Sequence, residues 1–132
     1  MLEYYVKEQS FNDMQGGSKP RYIARLNEKS VLTTEELCER VSKACTLSKH
    51  EMLLAIGQMQ DVMLAELAYG RGVQFGKLGV FHPSIESKAR ADKSSVDVDS
   101  IVKVNCNFRV SHYFRRFLNE LKFRKVVRPK GF

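Results

Sequence analysis

Hydrophobic and polar residues alternate most regularly between residues 102 and 110. A period of two is typical of a strand that buries one face. Residues 73–75 and 80–82 are shorter extended runs, and the glycines between them indicate a tight reversal. These runs predict an antiparallel sheet of three strands. The apolar positions of the longest strand are Val102, Val104, Cys106, Phe108 and Val110.

Two helices are predicted from capping boxes, in which a Ser or Thr and a Glu three residues later each satisfy a backbone N–H group. The two pairs are Thr33–Glu36 and Ser48–Glu51. The first helix is predicted to end near Thr46, where the helical spacing of apolar residues stops. The second is predicted to run to Tyr69 and to stop at Gly70, a residue type common after a helix.

The apolar surface of the second helix is wider than one core face requires. This width favours burial on two sides, by the chain's own core and by a partner. The alternative is that its Met-rich stripe only fills the chain's own core, as such stripes more often do.

The two ends of the chain predict a hairpin and a last helix. Residues 4–9 and 21–26 are rich in aromatic and β-branched residues, and the segment between them is dense in turn formers. Ser111 is positioned to cap a helix from His112 to about Arg124. Residues 86–100 are polar and predict a loop or a protruding arm. The order β-β-α-α-β-β-β-α predicts an α+β protein.

Basic residues are concentrated towards the C-terminal half. The chain has 22 basic and 15 acidic residues and a net charge of +7. Residues 71–132 hold fourteen basic and five acidic residues, whereas residues 31–70 hold three and six. A clustered basic excess favours a polyanionic partner, either nucleic acid or an anionic membrane surface. The alternative is that these residues only keep a small protein soluble.

The sequence offers little support for catalysis or metal binding. No CxxC pair, metal-ligand spacing or nucleophile elbow occurs, and the lone GxxG at 76–79 is too short for a phosphate loop. We therefore expect no enzyme, metal, cofactor or small-molecule substrate. We expect the cysteines to be small buried residues and the histidines to be solvated or capping. These residues are Cys38, Cys45, Cys106, His50, His82 and His112.

The stretch VQFGKLGVF, residues 73–81, resembles the hairpin of the HU and integration host factor family. Its matching positions are Val73, Gln74, Leu78, Gly79 and Phe81. The second-helix opening TLSKHEMLLAI and the segment NFRVSHYFRRFLNEL, with Phe108 at the usual aromatic position, also resemble that family. The resemblance covers residues 31–125. The N-terminal hairpin is similar to an extension found in HU-like proteins of gut Bacteroidales.

The resemblance implies an HU-like α+β fold with two N-terminal helices, a three-stranded antiparallel sheet with a β-arm, a C-terminal helix and the extra hairpin. It also implies a homodimer that bends double-stranded DNA through the minor groove. Three departures predict weaker bending. The arm is short, it is proline-free and net acidic from 86 to 100, and Arg109 is followed by Val110 and Ser111 where the family has Pro and Gly.

The predicted contacts are of two kinds. DNA phosphates would be bound without a base-reading arrangement by Lys88, Arg90, Lys93, Lys103, Arg109, Arg115, Arg116 and Lys122. The dimer interface would include Leu53, Ile56, Met59, Met63, Leu64 and Phe108.

The sequence thus predicts a hairpin extension at 1–30, an HU-like DNA-binding domain at 31–125 and a flexible basic tail at 126–132. The expected location is the cytoplasm, because the N-terminus lacks a signal peptide pattern, and the resemblance implies the nucleoid within it. The main alternative is an HU-like fold kept as a protein-interaction module without DNA binding. A third hypothesis is a protein that binds a membrane surface, which requires a basic amphipathic helix with an exposed apolar face. Helix 112–124 has the charges, but its apolar face is expected to be needed in the core.

Overall fold

The computed structural model of the chain describes residues 1–12 and 18–127. Within these ranges the chain forms three α-helices and two three-stranded sheets, so the predicted α+β class is confirmed. The helices are α1 (Thr34–Ser42), α2 (Lys49–Ala68) and α3 (His112–Asn119). The strands are β1 (Leu2–Asn12), β2 (Ser18–Leu26), β3 (Val73–Phe75), β4 (Gly79–Ser87), β5 (Ile101–Val110) and β6 (Phe123–Lys125).

The chain divides into two compact units. The hairpin unit consists of residues 1–31 together with those from Leu118 onwards, and the central unit is Leu32–Phe117. The division into domains at 1–30, 31–125 and 126–132 that the sequence suggests remains a prediction. The compact units differ from them by grouping residues 118–125 with the N-terminal hairpin.

In the hairpin unit β1 is the central strand of a sheet with the order β2-β1-β6. The predicted hairpin is confirmed by the antiparallel β1–β2 ladder, which runs from the pair Tyr4–Leu26 outwards. The prediction that the last helix reaches Arg124 is wrong. That helix ends at Asn119, and β6 then pairs in parallel with β1.

The segment after β6 remains attached to the hairpin, because the N–H of Val126 donates to the carbonyl of Tyr4 at 2.8 Å. Position 126 is where the flexible tail was expected to begin. Most of that tail, residues 128–132, lies outside the described residues.

The Glu3 carboxylate joins the strands of the hairpin unit. It accepts hydrogen bonds from Lys29 Nζ at 2.8 Å, from Asn27 Nδ2 at 3.2 Å and from the Arg124 guanidinium. These donors, Lys29 first, lower the pKa of the Glu3 carboxyl from its ordinary value of 4.5 to about 2. One side chain therefore links the segment that follows β2 to β6 through the central strand.

The central unit begins with the two helices predicted from their caps. The Ser48 hydroxyl accepts from the Glu51 N–H at 3.1 Å, and the Glu51 carboxylate accepts from the Ser48 N–H at 3.3 Å, so this capping box is confirmed. The first box is only half formed. Thr33 Oγ1 accepts from the Glu36 N–H at 3.2 Å, but the Glu36 carboxylate accepts from the Thr33 hydroxyl.

The helix ends agree with the sequence at α2 and differ at α1. Helix α2 stops before Gly70, whose φ of +91° suits glycine. Helix α1 ends at Ser42, earlier than the expected Thr46. Its C-terminal turn is closed by the Ser42 hydroxyl, which donates to the Glu39 carbonyl at 2.6 Å.

The predicted three-stranded sheet of the central unit has the order β3-β4-β5 and is antiparallel. Phe81 lies opposite Phe108, and their ring centroids are 4.9 Å apart. The apolar residues that are buried in the described part of the chain are few, namely Cys38 and Met52. The expectation of buried cysteines is therefore correct for Cys38 and wrong for Cys45 and Cys106, which are exposed.

Two further features of the described residues bear on function. Their helices include none that is long and apolar enough to cross a membrane. They also contain no group of three His, Cys, Asp or Glu side chains close enough to hold a metal ion.

Substituting Glu3 with Gln is expected to lower the melting temperature at pH 7, because the Lys29 and Arg124 bonds lose a charged acceptor. The pKa of the Glu3 carboxyl is lower in the folded protein than in the unfolded chain. The stabilisation that the carboxylate provides is therefore complete above about pH 4.5 and is lost as the pH falls through about 2. Thermal melting by circular dichroism should give a difference between wild type and variant that shrinks over this range. Glu8→Gln, on the same strand, is the control, and equal melting temperatures for both variants at pH 7 would contradict the role of Glu3.

Candidate nucleic-acid interface

One face of the β4–β5 ladder is polar, and strand alternation explains why. Successive side chains point to opposite faces of a sheet, and residues paired across antiparallel strands share a face. Four register pairs therefore define the polar sheet face: Val80–Arg109, His82–Asn107, Ser84–Asn105 and Glu86–Lys103.

Cross-strand hydrogen bonds order the polar sheet face. Asn105 Nδ2 donates to Glu86 Oε1 at 3.2 Å, and Asn107 Nδ2 donates to Ser84 Oγ at 3.3 Å. The amides thus occupy the middle of the face, while Arg109 and Lys103 lie exposed at its two ends. Because Lys103 is directly opposite Glu86, the excess of positive charge is greatest at the Arg109 end.

Ser111 fixes the start of α3 against the β3–β4 turn. Its N–H donates to the Leu78 carbonyl at 3.0 Å and its hydroxyl donates to the Lys77 carbonyl. The same hydroxyl accepts from the Phe114 N–H at 3.0 Å, so Ser111 caps α3 as predicted. This junction positions the first turn of α3 beside the end of β5.

A concavity of about 690 Å³ lies at this junction. Arg109 contributes from β5, His112 and Arg115 contribute from α3, and Asn107 completes the polar lining. The lining residues include no carboxylate. Two guanidinium groups at a concave surface without acids form a site suited to a phosphate or another anion.

Residues 88–100, all of which the structure describes, form a closed loop instead of a β-arm. Two single turns of 3₁₀ helix occupy it, and the Lys88 N–H donates to the Ser100 carbonyl at 2.8 Å. The Ser100 side chain is fully buried, and its hydroxyl accepts from Arg90 Nε at 3.2 Å and from the Asp97 N–H at 3.3 Å. Of the two forms expected for this segment, the loop is correct, and residues 88–100 do not form the β-arm that the resemblance implies, because they contain no strand.

The eight predicted DNA contacts fall into three groups in the structure. Lys103, Arg109 and Arg115 belong to the polar sheet face and its concavity, while Arg116 is exposed on α3. The closed loop carries Lys88, Arg90 and Lys93, of which Arg90 is engaged with Ser100. Lys122 belongs to the hairpin unit, separate from the unit that holds the other seven.

Three residues near the site were not predicted from the sequence. Asn107 and His112 line the concavity, and Lys77 lies with its Nζ 5.2 Å from the centre of the Tyr113 ring. Asn107 alternates with Arg109 along β5, which was a usable signal. The positions of Lys77 and His112 depend on the Ser111 junction, which has no sequence pattern of its own.

The residues predicted for the dimer interface differ in how far the chain itself buries them. Leu53, Ile56 and Met63 are half-buried, whereas Met59, Leu64 and Phe108 are exposed. The apolar face of the sheet, opposite the polar sheet face, is also open, and Val104 on it is 70% exposed.

Comparison with protein families gives a match over almost the whole chain. A family model described as an HU domain fused to a wHTH, Ig or glycine-rich motif matches residues 1–125. The chain belongs to this HU family. Membership includes the N-terminal hairpin, because the match begins at residue 1.

A solved structure has the same fold as this HU-family chain. It is the crystal structure of a protein from Bacteroides vulgatus ATCC 8482 described as a candidate bacterial DNA-binding protein, with a TM-score of 0.69 and 16% sequence identity. The alignment covers 99% of the present chain and 51% of the other, so the chain spans about half the length of that relative. Comparison with curated proteins gave no match.

Gly79 allows β4 and β5 to approach at the Ser111 junction, and its replacement by Ala should destabilise the fold. A Cβ there would lie 2.1 Å from the Arg109 carbonyl oxygen, and the φ of +154° is one that other residues rarely adopt. The backbone strain alone should cost about 1–3 kcal/mol. Urea unfolding of the Gly79→Ala variant and the wild type measures this loss of stability.

Gly57→Ala is the matched control, because Gly57 lies within α2 and a Cβ there meets nothing within 4 Å. It should stabilise the protein by roughly 0.5–1 kcal/mol. Equal unfolding midpoints for the two variants would contradict the close approach at Gly79.

Proposed function

We propose that the chain binds double-stranded DNA as a homodimer, through phosphates and with little preference among sequences. The observation that carries this proposal is the polar sheet face, where Arg109 and Arg115 meet at an acid-free concavity in a chain of the HU family. The solved structure from Bacteroides vulgatus is described as that of a candidate DNA-binding protein, which is consistent with this proposal.

The spacing of the basic residues suits a phosphate backbone. Lys103 and Arg109 are six residues apart on β5, a distance of about 20 Å at ~3.4 Å per residue. Phosphates of one DNA strand advance by about 3.4 Å per base pair, so the two side chains span roughly six steps. The Asn side chains between them each donate a hydrogen bond across the strands, which leaves them fewer groups with which to read base edges.

The closed loop limits what the protein does to DNA. A β-arm can follow the minor groove around the duplex, but a loop that hydrogen-bonds to itself through Ser100 lacks that reach. We therefore propose binding with little bending. Lys88, Lys93 and Arg116, which are exposed, would add phosphate contacts at the edge of the interface.

A second copy of the chain would cover the open apolar surfaces of the central unit. Leu64 on α2 is 64% exposed and Val104 on β5 is 70% exposed, which is a large apolar area for a single small chain. A concavity of about 430 Å³ between Met59 and the β3–β4 turn would accept side chains of the partner. The six predicted interface residues remain our proposal for this contact.

We further propose that α1, α2, the β3-β4-β5 sheet and α3 correspond to the HU arrangement, and that the protein acts in the bacterial nucleoid without catalytic activity. The alternative is an interaction module that has lost DNA binding. The net acidic, closed loop favours that alternative, and the concavity with Arg109 and Arg115 opposes it. Duplex binding decides between the two.

Lys103→Gln combined with Arg109→Gln should flatten the dependence of duplex binding on salt. Phosphate contacts release counterions, so log K should fall against log salt with a slope on the order of −5 to −9 for a dimer with three to five contacts per chain. Losing two contacts per chain should reduce that slope by about 2–4. Fluorescence anisotropy over a salt series measures this. Absence of binding by the wild type at ~50 mM salt would favour the interaction module.

Leu64→Asp should dissociate the dimer, because the charge would be buried without a partner at the interface. A cost of ~3 kcal/mol corresponds to at least about a hundredfold weaker association. Sedimentation equilibrium should give the wild type twice the mass of the 15.2 kDa chain. Leu54→Asp is the control, because Leu54 is equally exposed on α2 but lies outside the predicted interface. A folded wild-type monomer at micromolar concentration would refute the dimer.

A further inference from the structure

The β1–β2 ladder collects the basic side chains of the hairpin unit on one face. In its register Tyr5 pairs with Arg25, Lys7 with Ile23, and Gln9 with Arg21, so these residues share a face. Lys19 lies on the same face, since it is two residues from Arg21 along β2. We call this the basic hairpin face, and its cations are Lys7, Lys19, Arg21, Arg25 and, on β6, Arg124.

The charge is segregated between the two faces of this sheet. The basic hairpin face has five cations and a single acid, Glu3, among the residues that the structure describes. The opposite face carries one acid and one cation, Glu8 and Lys125. The sequence counts concealed this asymmetry, because residues 1–30 hold five basic and four acidic residues in total.

Three of the cations are not neutralised within the described part of the chain. Glu3 is engaged by Lys29 and Arg124, and Lys7, Lys19 and Arg25 have no ion pair there. All three are exposed. Lys7 is diagonal to Arg25 across the strands, at a separation of about 7–8 Å, which is within reach of long side chains, so their like charges repel. A bound polyanion would relieve this repulsion.

Protection of a sheet edge explains only part of the pattern. Basic residues on an edge strand discourage aggregation, and β2 is an edge strand. Lys7 lies on β1 past the Leu2–Tyr4 segment that pairs with β6, where no strand of the described residues pairs with that edge of β1, so edge protection applies there too. Edge protection, however, gives no reason for the cations to share one face.

We propose that the basic hairpin face is a second DNA-binding surface, which holds phosphates in addition to those held by the central unit. The choice of DNA as the polyanion rests on the proposed function. From Lys19 to Arg25 the face extends about 20 Å along β2 at ~3.4 Å per residue. That length equals roughly six base-pair steps along the duplex axis at ~3.4 Å per step, and the absence of a regular array of Asn and Gln suits sequence-independent contact.

The test compares two double variants of the full chain that lose the same charge. Lys7→Gln with Arg25→Gln removes cations from the basic hairpin face. Lys43→Gln with Lys125→Gln removes two exposed cations elsewhere, one at the C-cap of α1 and one on the opposite face of the hairpin sheet. Duplex binding is measured by anisotropy over a salt series, and melting by circular dichroism confirms that each variant is folded.

The first variant should bind more weakly and should flatten the salt slope by about 1–2 per chain, since each lost phosphate contact contributes ~0.9. The control should retain the wild-type slope. Equal slopes in both variants, with the wild type binding, would overturn the second surface and leave the proposed function intact. Failure of the wild type to bind any duplex would overturn both.

Binding to poly-glutamate tests the alternative that the basic hairpin face binds an acidic protein. If the Lys7 and Arg25 substitutions weaken binding to poly-glutamate but leave duplex binding unchanged, the face takes an acidic protein and the assignment to DNA is wrong. If they weaken duplex binding and the control does not, the face takes DNA.

Discussion

The register between β4 and β5 is the constraint on which the central unit depends. Because side chains alternate between the faces of a sheet, a slip of one residue would exchange the two faces completely. In the observed register the polar residues of both strands lie together, and Phe81 meets Phe108 on the other side. Ser111 and Gly79 act at the end of the same ladder, where one bonds to the turn and the other allows the strands to approach.

Features with a local cause could be read from the sequence. The capping box of Ser48 and Glu51 needs only residues three apart, and the alternation along β5 needs only one strand. Both were predicted correctly. Features with a distant cause were missed or wrong. Three residues of β6 carry no periodicity, and their strand exists only because β1 offers an unpaired edge. The closed loop depends on Ser100, whose buried hydroxyl no local pattern identifies.

The same distinction applies to the candidate site. Lys103 and Arg109 alternate on one strand, so sequence reasoning found them and the structure brings Arg115 to Arg109. Arg90 was predicted as a DNA contact from charge alone, yet it donates to Ser100. The basic hairpin face was not predicted, because charges cancel when they are counted along residues 1–30 and separate only when two strands are paired. A count of charges along the chain contains no information about faces.

The parallel pairing of β1 with β6 has a consequence for the order of folding. The paired segments, residues 2–4 and 123–125, are separated by nearly the entire chain, and contacts of such high sequence separation form late. During synthesis the β1–β2 hairpin and all the elements of the central unit are made before β6 exists. The contact between Glu3 and Arg124 therefore cannot form, and the sheet is not complete, until translation has passed Arg124. Until then the hairpin is a two-stranded ribbon, which is at best marginally stable by itself in water.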